Sequence, residues 1–315
     1  MRSTRGLGLP LALASAFAFG GSGPAAKPLL AVGLSPLHVT WLRIAGAALV
    51  LLPVAVRHLD VPRRRPLLIL AYGVFPMAGV QACYFAAVSR IPVGVALLIE
   101  YLGPVLMLGW VRFARRWHVA RSAGVGAALC VAGLTAVVEI WQGLRFDGVG
   151  IALALGAAVC QACYFLLADT GGEPVHPTAM IAWGALVGAA VMTVLARPWS
   201  LPWHVLAAPA GLGPLHWPAY AFVLWIVLVT TVLAYLTGVL AVRLLSPQVA
   251  GVVSYLESIV ATVLAWLLLG ESLTGLQLAG GVLVLVGAFV AQMSTPGPKA
   301  AEEKNVLAGI ERSVQ

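Results

Sequence analysis

The sequence predicts an all-α integral membrane protein with ten transmembrane helices arranged as two inverted five-helix repeats. Of its 315 residues, 61% are hydrophobic and only 10% are charged, and the mean hydropathy is +0.98. A soluble domain carries about 25% charged residues, so this chain has too few polar side chains to cover a water-facing surface. Its apolar residues fall in runs of about 20, the length of a helix that crosses a bilayer.

Ten apolar runs are long enough to span a membrane. They cover residues 7–30, 36–56, 66–88, 92–113, 119–139, 148–168, 177–196, 217–240, 247–269 and 275–293. The first run follows two arginines and ends in small residues, which is also the pattern of a signal peptide. Cleavage there would leave nine spans and destroy the repeat described below, so we interpret this run as the first helix.

The basic residues predict how the chain is oriented. Most of the 19 Lys and Arg residues lie in segments that are cytoplasmic if the N-terminus is inside. The abundance of Arg, Ala, Gly and Pro indicates a bacterial genome rich in G and C. We therefore expect a multi-pass protein of a bacterial plasma membrane with both termini in the cytoplasm. The opposite side is called the outer face below. Nucleic acid is excluded as a partner, because the basic residues alternate with apolar runs instead of forming one polar face.

An internal match relates the two halves of the chain. At an offset of 154, Tyr101 falls on Tyr255 and Gly126 falls on Gly280, without gaps. The opening helices align at a different offset, 142.

The match predicts two copies of one five-helix unit, in residues 7–139 and 148–293, followed by a polar cytoplasmic tail in residues 294–315. Because five is odd, the second copy enters the membrane from the opposite side. Many secondary transporters are built this way, with the binding site near the bilayer midplane between the copies.

Two glutamates stand inside apolar runs at nearly matching places. Glu100 corresponds to Ser254, which lies one helical turn before Glu257 on the same face of its helix. A carboxylate at the centre of a membrane helix costs about 2.5 kcal/mol or more, which makes it a candidate functional residue. One hypothesis places both glutamates on a water-filled substrate path, where proton binding would couple transport to proton entry. The alternatives are structural ion pairs, for instance with Arg43, and roles in folding or assembly.

Further residues complete the predicted substrate path. Arg43 either binds an anionic group of a substrate or holds the bundle together. The others have aromatic rings or an amide that would form the wall of the path: Trp41, Gln81, Tyr84, Tyr101, Tyr235 and Tyr255. Any one of these aromatic residues alone is more often a packing residue.

Several charged and aromatic residues lie at the ends of the spans. Lys27 is interpreted as interfacial, and Glu139 and Glu271 as solvated. The loop 197–216 is rich in tryptophan, which predicts an interfacial belt; a lid over a substrate is the alternative.

Neither a metal, a cofactor nor an enzymatic activity is expected. All four cysteines lie inside apolar runs, and His204 and His216 lack the spacing of metal ligands. The sequence has no phosphate-binding loop, zinc-protease motif or nucleophile elbow, so neither ATP-driven transport nor an enzyme is indicated. A membrane-embedded enzyme and a channel are the alternatives from other functional classes.

The chain resembles the EamA family of the drug/metabolite transporter superfamily over about residues 7–293. The resemblance rests on Arg43 in WLRIAGAAL, on the run YFAAVSRIPVGVALLIEYLGPVL, and on LSPQVA, SYLES and LLLGE in the second half. IPVGVALLIEYLGP looks more narrowly like the threonine/homoserine exporter branch. The Glu-Pro usual in the second half reads Glu257-Ser258 here, so that helix should lack the kink that Pro104 gives the first half. The end of the first half that usually resembles LLLGE reads VRFARRW.

The resemblance implies a transporter that works by alternating access between a lipid bilayer's two sides. Its expected substrates are amino acids or related small metabolites, moved outward. A permease for drugs, nucleosides or other metabolites is the alternative. Protons as the coupling ion and a homodimer are hypotheses that the sequence leaves open.

Overall fold

The computed structural model describes residues 7–113, 121–139, 147–168, 175–244 and 247–293, and most of them are helical. The predicted tail, residues 294–315, lies outside the described residues. The α-helices in chain order are α1 (Gly8–Gly20), α2 (Ser22–Ala31), α3 (Pro36–Arg57), α4 (Asp60–Arg64), α5 (Pro66–Tyr72), α6 (Gln81–Val88), α7 (Val93–Glu100), α8 (Gly103–Phe113), α9 (Arg121–Val138), α10 (Gly148–Ala168), α11 (Pro177–Ala196), α12 (Ala219–Val227), α13 (Ala234–Leu244), α14 (Pro247–Leu269) and α15 (Gly275–Met293).

Within the described residues, seven helical segments are long and apolar enough to cross a membrane. They are Gly8–Ala31, Pro36–Arg57, Pro66–Val88, Val93–Trp110, Arg121–Val138, Pro177–Ala196 and Ala219–Ala241. Three further apolar helices are shorter there, namely Gly148–Cys163, Tyr255–Leu269 and Gly275–Ala291. A multi-pass helical membrane protein is therefore confirmed, while the number of ten spans stays a prediction.

The two β-strands of the described residues begin in the loop 197–216. Pro209–Leu212 (β1) pairs antiparallel with Leu215–Pro218 (β2) around Gly213, whose φ of 58° suits glycine. Alternate residues of β1, Ala210 and Leu212, are buried in the main core. A four-residue strand is too short to show a period in the sequence, which is why the all-α prediction missed it.

Two π-helical segments occupy matching places in the two halves. Gly73–Val80 joins α5 to α6, and Leu228–Leu233 joins α12 to α13. The offset of 154 superposes them. Their local causes differ: Pro76 has no N–H to donate in the first, whereas the Thr231 hydroxyl donates to the carbonyl of Ile226 at 2.8 Å in the second.

Helices α9 and α15 pack backbone against backbone through four glycines. A methyl group at Gly126 would lie 2.6 Å from the Gly287 carbonyl oxygen, and one at Gly133 would lie 2.6 Å from the Gly280 carbonyl oxygen. The offset of 154 turns Gly126 into Gly280 and Gly133 into Gly287, so each contact is the counterpart of the other.

Two further contacts join residues that the offset makes equivalent. The Cys130 thiol donates to the Val284 carbonyl at 3.3 Å, and the rings of Tyr101 and Tyr255 lie 5.3 Å apart. When a residue touches its own equivalent, the pair lies on or near an axis that relates the two halves.

The fourth and ninth predicted spans differ at their centres. Helix α7 ends at Glu100 and α8 begins at Gly103, whereas α14 runs unbroken from Pro247 to Leu269. Pro104 has no N–H for the Glu100 carbonyl, and its ring crowds that oxygen. The equivalent residue, Ser258, keeps its N–H. A break in one half alone is what the sequence predicted.

Candidate functional site

The candidate site is built around α7, which lies in the middle of the largest buried cluster. Every residue from Val93 to Ile99 is buried, and α7 packs against α6, α9, α10, α14 and α15. Glu100 ends this helix and is partly exposed. The break behind it therefore places a carboxylate and non-helical backbone deep inside an otherwise apolar bundle.

Glu257, Tyr101 and Tyr255 come together at this break. The Tyr101 hydroxyl donates to Glu257 Oε2 at 3.5 Å, the long limit for a hydrogen bond. The Tyr101 and Tyr255 rings are tilted by 54°. Glu100 directly precedes Tyr101 in the chain, so two carboxylates belong to this centre. A bound cation or proton would offset the cost of burying them.

Arg43 lies near these residues but forms no ion pair among the side chains that the structure describes. It is only 2% exposed. Its Nη1 donates to Ser22 Oγ and its Nη2 donates to the Thr230 carbonyl at 3.2 Å. The guanidinium lies 5.4 Å from the centre of the Phe85 ring. These contacts tie α2, α3, α6 and a π-helical segment together.

The remaining predicted path residues are spread around this centre. Tyr84 is buried next to Phe85, with the rings 5.4 Å apart. Tyr235 packs edge to face against Phe19 at 4.9 Å. Gln81 lies one turn before Tyr84 on α6 and is partly exposed.

Trp41 contacts α11 and the outer loop. Its Nε1 donates to Thr193 Oγ1 at 2.8 Å, and its ring lies 6.2 Å from that of Trp203. Ser254 belongs to α14, but its side chain lies outside the described residues, so its predicted role stays a prediction.

The prediction that Glu139 is solvated was wrong. Glu139 is only 2% exposed, and its Oε1 accepts from Thr274 Oγ1 at 2.7 Å. Glu271 forms an ion pair with Lys27 at 3.0 Å and accepts from the Val93 N–H at 2.8 Å. Lys27 is therefore a partner in a contact between helices, and its interfacial position stays a prediction. Short loops hold these residues against neighbouring helices, which the position in the sequence alone does not reveal.

Sequence reasoning missed two polar residues in the core. Ser22 and Thr230, which hold Arg43, are buried inside apolar runs, and that position could have marked them. Gln161 lies on α10, where its Oε1 is buried without a hydrogen-bond partner among the described residues. A methyl group at Gly103 would lie 2.9 Å from that oxygen. The amide therefore sits directly beside the break between α7 and α8.

A cavity of about 370 Å³ lies between α5, α10, α11 and α13, at the ends of these helices that are predicted to be cytoplasmic. Its wall is mainly apolar and includes Leu68, Tyr72, Leu167, Met180, Ile181 and Val239.

Comparisons with known proteins agree with this architecture. The model of the EamA-like transporter family matches residues 6–138 and 148–293. A threonine/homoserine exporter RhtA of Salmonella typhimurium (strain SL1344) is 28% identical over 272 residues, which cover 84% of this chain and 85% of the relative. The RhtA of Escherichia coli (strain K12) is 29% identical, with 83% of each chain covered. A "Probable amino-acid metabolite efflux pump" of Salmonella typhimurium (strain LT2) is 27% identical over 83% of this chain and 88% of its own.

One solved crystal structure shares the fold. It superposes with a TM-score of 0.56 at 18% identity and covers 92% of this chain and 98% of the other.

Proposed function

Since this chain belongs to the EamA-like transporter family, we propose that it is a secondary transporter that exports amino acids or related small metabolites by alternating access. The resemblance read from the sequence is thereby confirmed at the level of the family. Exporters of threonine and homoserine are among its relatives, and so is a protein named as an amino-acid metabolite efflux pump. These names support amino acids as the substrate class.

The observation that carries the proposal is the polar centre at the broken helix. Glu100, Glu257 and Tyr101 meet there inside a bundle whose surroundings are apolar. Broken membrane helices supply polar backbone groups where they line a binding site. The Glu100 carboxylate suits the ammonium group of an amino acid, and the buried guanidinium of Arg43 suits its carboxylate.

Alternating access requires two halves that exchange roles, and four observations support an inverted repeat. The family model matches the chain twice, on either side of residues 139–147. The π-helical segments occupy equivalent places, the glycine contacts of α9 and α15 are counterparts of each other, and equivalent residues touch at Tyr101 and Tyr255. We accordingly propose that residues 7–139 and 148–293 are the two repeats.

A substrate screen tests the export proposal. The purified protein would be reconstituted into liposomes loaded with threonine, homoserine, other amino acids, nucleosides or cationic drugs, and counterflow of each labelled substrate would be measured. We expect counterflow of amino acids that Glu100→Gln abolishes, because the neutral amide loses its attraction for an ammonium group. Asp60→Asn, an exposed acid paired with Arg64, is the matched control and should transport normally. Counterflow of none of these compounds would contradict the proposal.

Proton coupling is tested separately through Glu257. In vesicles with an imposed pH gradient, the parent protein should accumulate its substrate, because proton movement through the carboxylate drives it. Glu257→Gln should keep counterflow, which needs no driving ion, and lose accumulation. Gradient-driven accumulation that is unchanged in Glu257→Gln would remove this residue from the coupling role.

A further inference from the structure

An ion pair at the predicted outer face links the two halves of the chain. Lys27 Nζ, in α2 of the first half, lies 3.0 Å from Glu271 Oε1, just beyond α14 of the second half. Glu271 Oε2 accepts a hydrogen bond from the Val93 N–H at 2.8 Å. One carboxylate therefore joins α2, α7 and the segment between α14 and α15.

Glu271 also supplies what the start of α7 lacks. Val93 is the first residue of α7, and the preceding residue, Pro92, has no side chain that can accept from the first turn. A carboxylate at a helix N-terminus satisfies a free N–H and interacts favourably with the helix dipole. Glu271 thus fixes the outer end of the helix whose inner end carries Glu100.

The residues that the repeat places at the equivalent positions have a different chemistry. At the offset of 142, Lys27 corresponds to Asp169, and at the offset of 154, Glu271 corresponds to Trp117. A carboxylate and an indole cannot form an ion pair. The cavity of about 370 Å³ lies on the predicted cytoplasmic side. The ion pair of the outer side is therefore not repeated at the equivalent positions of the sequence.

Beneath the ion pair the helices are in close contact. A methyl group at Gly94 in α7 would lie 2.8 Å from Thr262 Oγ1 in α14. Water entering the polar centre from the outer face along this seam has to separate α7 from α14, and Glu271 opposes that separation directly through its bond to Val93.

We infer that Lys27 and Glu271 form the outer gate of the transport path, and that Glu271 is the positioning residue that holds α7 in the outward-closed state. The inference rests on the proposed function, because a gate has meaning only in a protein that opens to both sides. The side chains of Lys27 and Glu271 are 26% and 18% exposed, so water can solvate both charges once they separate. The ion pair shifts the equilibrium between the two states towards the outward-closed one, and it is weak enough to break when the protein opens.

Labelling of Thr262→Cys from the outer face tests the gate. The reporter is introduced into the full-length protein, and cells are treated with a membrane-impermeant thiol reagent. The labelling rate is measured relative to the same protein without the reporter, which corrects for the four native cysteines. Lys27→Met removes one charge. Glu271→Gln removes the other while its amide oxygen still accepts from Val93, so this variant isolates the ion pair from the helix cap.

We expect each of the two variants to raise the labelling rate about fivefold, in keeping with the loss of a partly exposed ion pair. Lys27→Arg keeps the charge and should label like the parent. Arg90→Gln is the matched control, since it breaks another 3.0 Å ion pair of the same face, with Asp147, that is more exposed. Labelling that stays at the parental rate in both Lys27→Met and Glu271→Gln would overturn the gate, as would an equal increase in Arg90→Gln.

Size-exclusion profiles identify a variant that does not fold, and Glu271→Gln carries the test if Lys27→Met fails to fold. Labelling requires no substrate, so the result is independent of the counterflow screen. Pair-dependent labelling in a protein that transports none of the screened compounds would uphold the gate and overturn the export proposal. Counterflow of amino acids with pair-independent labelling would uphold export and overturn the gate.

Discussion

Two helix seams join the halves of this protein, and they differ in symmetry. Between α9 and α15 each glycine contact is the counterpart of the other under the offset of 154. Between α7–α8 and α14 the same offset pairs Tyr101 with Tyr255, yet one side is broken and the other continuous. Glu257 has Gly103 as its counterpart, and Glu100 has Ser254.

The difference indicates where both halves of the repeat require the same residue type. Close backbone packing requires glycine on either side of the α9–α15 seam, because any Cβ there would overlap a carbonyl. At the central seam the helix is broken in the first half only, and the two glutamates occupy positions that are not equivalent. The packing of α9 against α15 is therefore symmetric, whereas the polar residues at the central seam are not.

The largest expected effect concerns the symmetric seam. Gly126→Ala and Gly280→Ala should each lower the free energy of unfolding by about 2 kcal/mol, because the added methyl meets backbone that cannot move aside. Thermal unfolding in detergent measures both. Gly124→Ala is the control, since a methyl at Gly124 meets no atom within 4 Å among the described residues, and it should be neutral or slightly stabilising. If Gly126→Ala and Gly280→Ala lower the free energy of unfolding by clearly different amounts, the two glycine contacts are not equivalent.

A smaller change in stability should follow from straightening the broken helix. Pro104→Ala restores an N–H that can donate to the Glu100 carbonyl, which should stabilise the protein by about 1 kcal/mol. We expect counterflow to fall severalfold, because a continuous helix no longer presents Glu100 and Tyr101 at a break.

Pro53→Ala is the matched control for that change. Pro53 lies inside α3, which continues through it without a break, so the substitution should stabilise the protein and leave counterflow unchanged. If Pro104→Ala transports as well as Pro53→Ala does, the asymmetry of the central seam has no role in transport.

The smallest expected effect lies at the exposed Arg90–Asp147 pair, which serves as the reference for the gate. The hydrogen bond that the Gly150 N–H donates to Asp147 holds the pKa of this carboxyl below its ordinary value. The hydrogen bond from Arg90 and its positive charge lower the pKa further. A depressed pKa contributes stability above the pKa of the unfolded state, and this contribution is lost as the pH falls through the folded pKa.

The melting temperature of Asp147→Ala should accordingly lie slightly below that of the parent at pH 7, and the gap should close on acidification. A gap that widens at low pH would show that Asp147 is stabilised in its protonated form instead.

The sequence predicted the features that depend on local composition and on the repeat. Apolar runs of membrane length predicted the helical class, and Pro104 against Ser258 predicted a break in one half only. The offset of 154 aligned Tyr101 with Tyr255, which the structure places in contact. Each of these follows from the chain's own pattern and needs no knowledge of which helices are neighbours.

Partners across the bundle could not be predicted in the same way. Glu271 was taken for a solvated residue because it ends an apolar run, yet Lys27 and Val93, which bind it, are far away in sequence. The aromatic ring of Trp41 places it among the predicted path residues, but the sequence does not reveal that its Nε1 donates to Thr193 on α11. The depth of a residue in the membrane can be predicted by counting residues along its helix. Its contact partner depends on which helices pack together, and the sequence alone does not show that.

The glycine seam also constrains how the protein is made. Helices α9 and α15 are separated by more than a hundred residues, so during synthesis α9 enters the membrane long before its closest neighbour exists. Its glycines expose backbone to lipid, or to a temporary partner, until α15 is inserted. The ribosome must therefore have synthesised α15 before the first half can complete its packing, which makes the insertion of α15 the step that commits the two halves to each other.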